Sequence, residues 1–247
     1  MHFDKAAYRF AKERIVKMIQ DTHDWENTEG FIADGVICPD EYEKEPVRIL
    51  CILAESYGYS EEGMVNIETQ SVDDIMGLTN TAVQTPRKLA TMLWLLLRSF
   101  EGGTKVTREE FPDDLFQVNS ENTALLQKTL SKIAWINVKK ASQPDGTEMD
   151  PEEVYTHALR NKEILREQIQ EIAPHLIIVC GEVVFRALHE EKLLGPEVVL
   201  ARKWQIQEVK DGPCVLEVSH PSTWWGYEKL YKRFEEIYDQ MQSRYKA

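Results

Sequence analysis

The chain has 247 residues, 43% of them hydrophobic and 29% charged, with a formal net charge of -13 and a pI near 5.0. That length buries about 70–75% of the surface its unfolded form exposes, so neither disulfide nor metal is required for stability. The balance is that of an ordinary globular domain, and an acidic surface repels phosphate backbones unless basic residues gather locally.

Four cysteines, Cys38, Cys51, Cys180 and Cys214, form no Cys-x-x-Cys pair, and three of them lie in strongly apolar runs where a thiol acts as a small buried hydrophobe. The start, Met1-His-Phe-Asp-Lys5, has no basic stretch followed by an apolar one, so no secretory signal is expected. The most apolar window, Leu89–Leu97, is far short of a membrane span. A soluble, cytoplasmic protein is the expectation.

In chain order, residues 4–22 place Ala7, Phe10, Ala11, Ile15, Met18 and Ile19 near one helical face. Residues 24–45 are rich in acids and turn formers and read as an irregular connection, so residues 1–45 are expected as an N-terminal helix and acidic connection packed on a core spanning 46–247. Val47–Leu53 is nearly all apolar, as a strand covered on both faces should be. A helix follows over Pro86–Phe100, with Thr85 as its cap, and residues 104–119 read as loop.

A short helix over Glu121–Lys132 leads into a strand at Ile133–Val138. Asp150-Pro151-Glu152-Glu153 gives an N-cap, a first-turn proline and an acidic third position, opening a helix to about Ile172 that Pro174 ends. Leu176–Cys180 is a third strand, and Gly181 opens a helix over Glu182–Glu190. Trp204–Val209 and Cys214–Val218 read as a hairpin around Asp211-Gly-Pro213, and Tyr227–Arg244 as the last helix. Alternating strands and helices predict an α/β fold, a three-layer α/β/α arrangement around a central, mainly parallel four-stranded sheet.

In such sheets ligands sit outside the carboxyl ends of the strands, which directs attention to the residues after Leu53, Val138, Cys180 and Val218. Ala54–Gly63 packs carboxylates, hydroxyls and glycines at a strand end; its plain alternative is a solvated surface turn. Asn137 stands in an otherwise apolar strand, where its amide must be satisfied by backbone or can pair with the edge of a nucleobase. Ser219–Trp225 holds a rigid proline turn in which His220 can donate a hydrogen bond and Ser222 can bind a phosphate oxygen, with Trp224 and Trp225 as apolar surface beside them. The remaining histidines, His2, His23, His157, His175 and His189, show no metal-ligand spacing, and there is no phosphate-binding glycine motif or nucleophile elbow.

Taken in order, these three segments resemble the uracil-DNA glycosylase superfamily. Ile52-Leu-Ala-Glu-Ser-Tyr-Gly-Tyr-Ser-Glu-Glu62 is most similar to that family's Gly-Glu-Ala-Pro-Gly-x-x-Glu-Asp motif, Asn137-Val-Lys-Lys140 to its Asn-x-x-Lys strand, and His220-Pro221-Ser222 to its His-Pro-Ser motif. The similarity spans about residues 46–240. It departs from the pattern at Ala54, which replaces the first glycine, and at Ser56-Tyr57, which replaces Ala-Pro. Ser56 also stands where another branch of the family carries its water-activating aspartate. The four cysteines that bind an iron–sulfur cluster in the similar branch are absent, so no cofactor and no metal is expected.

The resemblance implies a glycosylase-like fold and hydrolysis of the bond between uracil, or a related damaged base, and its sugar in DNA, with the target nucleotide flipped out of the stack. It implies that Glu55 or Glu61 holds water and faces the sugar cation, that His220 donates to the base oxygen, and that Asn137 reads the base edge beside Tyr57 and Gly58. Ser56, Ser222 and Lys139 would meet phosphates, Trp224 or Trp225 would fill the vacated stack, and Phe100, Phe111 and Phe116 are candidates to stack on the base. Two other readings stand beside it: a catalytically inactive nucleobase or nucleic-acid binder, and a hydrolase of free nucleosides or nucleotides. Clustering of Lys139, Lys140, Arg87, Lys88, Lys229 and Lys232 near the cleft would favour DNA.

Overall fold

The computed structural model describes residues 2–22, 31–54, 56–57, 64–66, 85–111, 120–140, 142–143, 149–199, 203–223 and 226–245. Four apolar segments form the heart of one sheet: β3 (Ile49–Leu53), β6 (Ala134–Asn137), β8 (Leu176–Cys180) and β10 (Cys214–Val218), every residue of them buried. They run parallel in the spatial order β6-β3-β8-β10. Burial on both faces is what makes these strands continuous apolar runs rather than alternating ones.

The sheet has six strands and is mixed, in place of the expected four. A two-residue strand, β2 (Gly35–Val36), pairs antiparallel with β6 at one edge, and β9 (Ile206–Glu208) pairs antiparallel with β10 at the other. A segment as short as β2 carries no period that sequence could display. The same stretch, read as irregular connection, also holds β1 (Phe31–Ala33), paired with β5 (Met64–Asn66), and α2 (Pro39–Tyr42). A third small ladder joins β4 (Ser56–Tyr57) to β7 (Ser142–Gln143). The hairpin around Asp211 forms as expected, with Asp211 at φ 58.

Helices cover both faces. On one, α3 (Thr85–Gly102), α4 (Ser120–Leu130) and α8 (Tyr227–Tyr245) pack against Ile49, Cys51, Ile178 and Leu216. On the other, α5 (Pro151–Arg160), α6 (Lys162–Ile172) and α7 (Glu182–Glu190) pack against Leu50, Ile52, Val179 and Val215. Alternate residues of each strand thus serve opposite cores, the period-two rule of a pleated sheet. The three cysteines in strands are buried and reduced, and burial pushes the Cys51 and Cys180 thiols up from their ordinary pKa. Among the described residues no helix is long and apolar enough to cross a membrane.

The N-terminal helix, α1 (Lys5–Thr22), is capped by Asp4, whose carboxylate accepts from the backbone N–H of Ala6 (2.9 Å) and Ala7 (3.0 Å). It buries Tyr8, Ala11, Ile15 and Ile19, and packs on α6 through Ile164. Phe10, expected on the inner face, is 73% exposed: the stripe runs 8, 11, 15, 19, and position 10 falls outside it.

The helix expected from Asp150 to Ile172 is two helices. Asn161 sits between them at φ -92, ψ 10, and its buried amide donates to the Val138 carbonyl (2.8 Å) just past β6. Satisfying that carbonyl inside the protein outweighs continuing a straight helix. The start is as read: Asp150 accepts from the Glu152 N–H (3.0 Å) and Pro151 takes the first turn, while Glu153 reaches Lys139 at 2.6 Å. Asp150→Ala should cost about 1 kcal/mol, lowering Tm by about 2–4 °C in a chain of this size, readable in a thermal melt.

Candidate functional site

From β3 the chain crosses to β6 on one side of the sheet, and β8 and β10 lie on the other, so the order reverses between β3 and β8. At such a reversal the loops above the strands diverge and leave a crevice. A cleft of about 290 Å³ opens there. It is lined by Ala54 after β3, by Cys180, Gly181 and the first residues of α7 after β8, and by Ser219, His220 and Thr223 after β10, with Met149 and Lys203 at its border. Gly181 has φ 113 and nothing within 4 Å of where a Cβ would stand, so its backbone conformation and not crowding calls for glycine. Lys203 bridges to Glu182 at 2.9 Å across the rim.

His220 is held by its backbone. A 3-10 turn over Pro221–Thr223 folds back so that the Thr223 N–H (2.9 Å) and hydroxyl (2.8 Å) both donate to the His220 carbonyl. The residue keeps an exposed surface, yet enough protein surrounds its ring for desolvation to hold its pKa below the ordinary imidazole value. The ring is therefore neutral at pH 7, with one nitrogen donating and the other accepting.

Asn137 is committed elsewhere in the sheet. Asp34, in the turn between β1 and β2, accepts from the Asn137 N–H (2.6 Å) and its side-chain amide (3.4 Å), and from Lys140 Nζ (2.8 Å) and Gln168 Nε2 (3.0 Å). The Asp34 and Lys140 side chains are completely buried, and desolvation pushes the Lys140 pKa down against the pull of Asp34. Asn137 and Lys140 therefore belong to a buried polar network at the edge of the sheet, and neither lines the cleft. Lys139 is buried and paired with Glu153, not presented to a phosphate.

The segments after β3 and β6 continue as neighbours: Val138 N–H donates to the Leu53 carbonyl (2.9 Å) and Lys139 N–H to that of Ala54 (2.8 Å), ahead of the Ser56–Tyr57 ladder. Ser56, Tyr57 and Ser222 are described in backbone only; Glu55, Gly58, Glu61, Trp224 and Trp225 lie outside the described residues, as does Phe116. Phe100 and Phe111 belong to the core. Phe100 packs on Tyr238 and Phe111 is buried between Trp94 and Tyr231, so neither reaches a base in the cleft.

None of the six basic residues lines the cleft. Arg87 is buried against Thr123 (3.3 Å), Lys139 and Lys140 are buried as above, and Lys229 and Lys232 line a separate groove on α8 with Arg233 and Glu236. Among the described residues no group of three His, Cys, Asp or Glu side chains is placed to hold a metal.

Sequence reasoning missed Asp34 and Glu217. Asp34 is the single acid between two apolar pairs in a tract otherwise read as surface; Glu217 is the single acid in the run Cys214–Val218. Glu217 is buried on the α7 face of β10, close to Lys203 and Glu182 of the cleft rim, and desolvation raises its pKa. A carboxyl whose folded pKa is raised contributes stability below its unfolded value of about 4.5 that is lost as pH rises through the folded value. Glu217→Gln should therefore raise Tm at pH 7, with the gain shrinking towards pH 4, measurable by thermal melts across that range.

Compared with known proteins, the chain matches no protein-family model and no curated protein sequence.

Proposed function

We propose that the chain is a DNA glycosylase-like protein that hydrolyses the N-glycosidic bond of uracil, or of a related damaged base, with the base held in the cleft above β3, β8 and β10. The observation that carries this reading is that Ala54 and His220, remote in sequence, line one crevice at the reversal point of the sheet. Glu55 follows Ala54 directly in the chain. Water adds to the anomeric carbon, the bond to the base nitrogen breaks with its electron pair, and the base leaves as an anion that takes up a proton. A neutral imidazole donor favours charge building on the base oxygen, and a carboxylate from Glu55 or Glu61 favours the sugar cation.

Asn137 enters this reading differently from the expected base reader: bonded to Asp34, it fixes the segment that runs beside Ala54. A second reading, action on free nucleosides or nucleotides, is favoured by one observation. Lys139, Lys140 and Arg87 are buried on a chain of net charge -13, which leaves fewer cations for a DNA track.

Incubation with single- and double-stranded oligonucleotides carrying uracil, hypoxanthine or a mismatch, followed by alkaline cleavage, tests the first reading. Parallel incubation with deoxyuridine and dUMP, following free base by chromatography, tests the second. Strand cleavage at the lesion supports the DNA reading; base release from the free compounds alone transfers the activity to them. No release from any of these overturns both.

A further inference from the structure

A cavity of about 10 Å³ lies where α1, α6 and the turn between β1 and β2 meet. Its polar lining comes from Tyr8 and Lys12 of α1, Asp34 of the turn and Gln168 of α6, and Ile15 and Ile172 are among its apolar walls. All six are buried. The elements come this close because the apolar stripe of α1 packs on α6 and because Gly35 has no side chain. A Cβ there would collide with the Tyr8 hydroxyl, which accepts from the Val36 N–H (2.7 Å).

Gln168 sets what the cavity must hold. Its Nε2 donates to the Asp34 carboxylate (3.0 Å) and to the Asp34 backbone carbonyl (3.3 Å). Both of those oxygens only accept, so turning the amide over would set oxygen against oxygen. The amide oxygen, Oε1, is thereby directed away from them. It is buried, and no protein donor among the described residues reaches it. A buried amide oxygen without a donor opposes folding, and ordered water satisfies such atoms where the protein itself does not.

Size and charge decide the occupant. A cavity of about 10–15 Å³ on this measure admits one water molecule. A cation would meet the Lys140 ammonium, held by the same Asp34 carboxylate, and Lys12 in the lining. An anion would meet the Asp34 carboxylate and the Gln168 amide oxygen, neither of which donates. A neutral molecule that both donates and accepts suits every group: its proton goes to Gln168 Oε1, and its oxygen serves Tyr8 and Lys12, whose side chains carry donors. We propose that this cavity is the binding site of a single internal water molecule, which ties α1 to the Asp34 network by donating to Gln168 Oε1. The site is separate from the cleft and does not depend on the chemistry assigned there.

The test is a high-resolution crystal structure of the full chain, with companion crystals soaked in rubidium bromide. The expected result is one water peak within about 2.5–3.0 Å of Gln168 Oε1, unaltered by the soak. No peak at that position overturns the proposal, and so does a protein donor found on Gln168 Oε1. A peak that scatters anomalously after the soak overturns it in favour of an ion. Oxygen-17 relaxation dispersion gives a second readout in solution, because it counts long-lived internal waters. Gln168→Met removes the acceptor at nearly constant side-chain length and should hold one such water fewer than the parent; an equal count overturns the proposal. Should Gln168→Met fail to fold, the crystals of the parent decide.

Discussion

Lys140→Ala should destabilise the protein by about 3–5 kcal/mol, the range for removing one partner of a buried ion pair. The Asp34 carboxylate would then rest on the Asn137 and Gln168 amides and the Asn137 N–H, all of them neutral donors. Both charged side chains are completely buried, so solvent cannot screen the carboxylate left behind. Lys139, next in the chain, is the internal comparison. Its partner Glu153 is 38% exposed, which places that pair nearer the ~0–1 kcal/mol of surface bridges, and Lys139→Ala should cost correspondingly less.

The double variant Asp34→Asn/Lys140→Met separates charge from shape. The substituted amide would still offer an oxygen to the Asn137 N–H, and the methionine would fill the channel of the lysine stem, so much of the single-variant loss should return. Urea titrations of the two singles and the double close the cycle. A Lys140→Ala loss under about 1 kcal/mol would mean that water reaches Asp34, and the network would lose its claim to hold the β1–β2 turn against β6.

What sequence could reveal divides along physical lines. The four central strands were legible because burial on both faces leaves a run of apolar residues with no competing period, and Asp150-Pro151 was legible because a cap is a local device. The break at Asn161 was not, since its cause is a carbonyl at Val138 supplied by another part of the chain. The edge strand at Gly35–Val36 was hidden for the same reason: its partner is Trp135 and Ala134 in β6, and two residues hold no pattern. At the site, His220 stood out as a polar residue in a rigid turn after a strand, and it does line the cleft. Asn137 stood out equally, but its role depends on Asp34, across the sheet edge and invisible until the fold brings the two together. Lys139 and Lys140 looked like surface cations because sequence shows charge and not burial.

His220→Ala carries the largest expected effect on activity. On the glycosylase reading proposed above, loss of one hydrogen-bond donor aimed at developing negative charge should lower the rate by about 100–1000-fold. The assay is excision of uracil from an oligonucleotide, or release from deoxyuridine if the free compound proves to be the substrate. His220→Gln keeps an N–H donor and should retain more activity than His220→Ala, whereas a purely structural role would make the two equally poor. The turn itself should survive in both, because Thr223 donates to the backbone carbonyl of residue 220. The pH profile supplies an independent check. Burial lowers the His220 pKa from its ordinary value of 6.5, so the ring stays neutral as pH falls past 6.5 and protonates only below its lowered value. The acid limb of kcat/KM that belongs to this residue should therefore lie below pH 6.5 and vanish in His220→Gln. The same shift makes acid unfavourable to folding, since the unfolded chain takes up the proton more readily. A His220→Ala enzyme that excises at the parent rate would remove the imidazole from the reaction and leave the cleft as a binding site only.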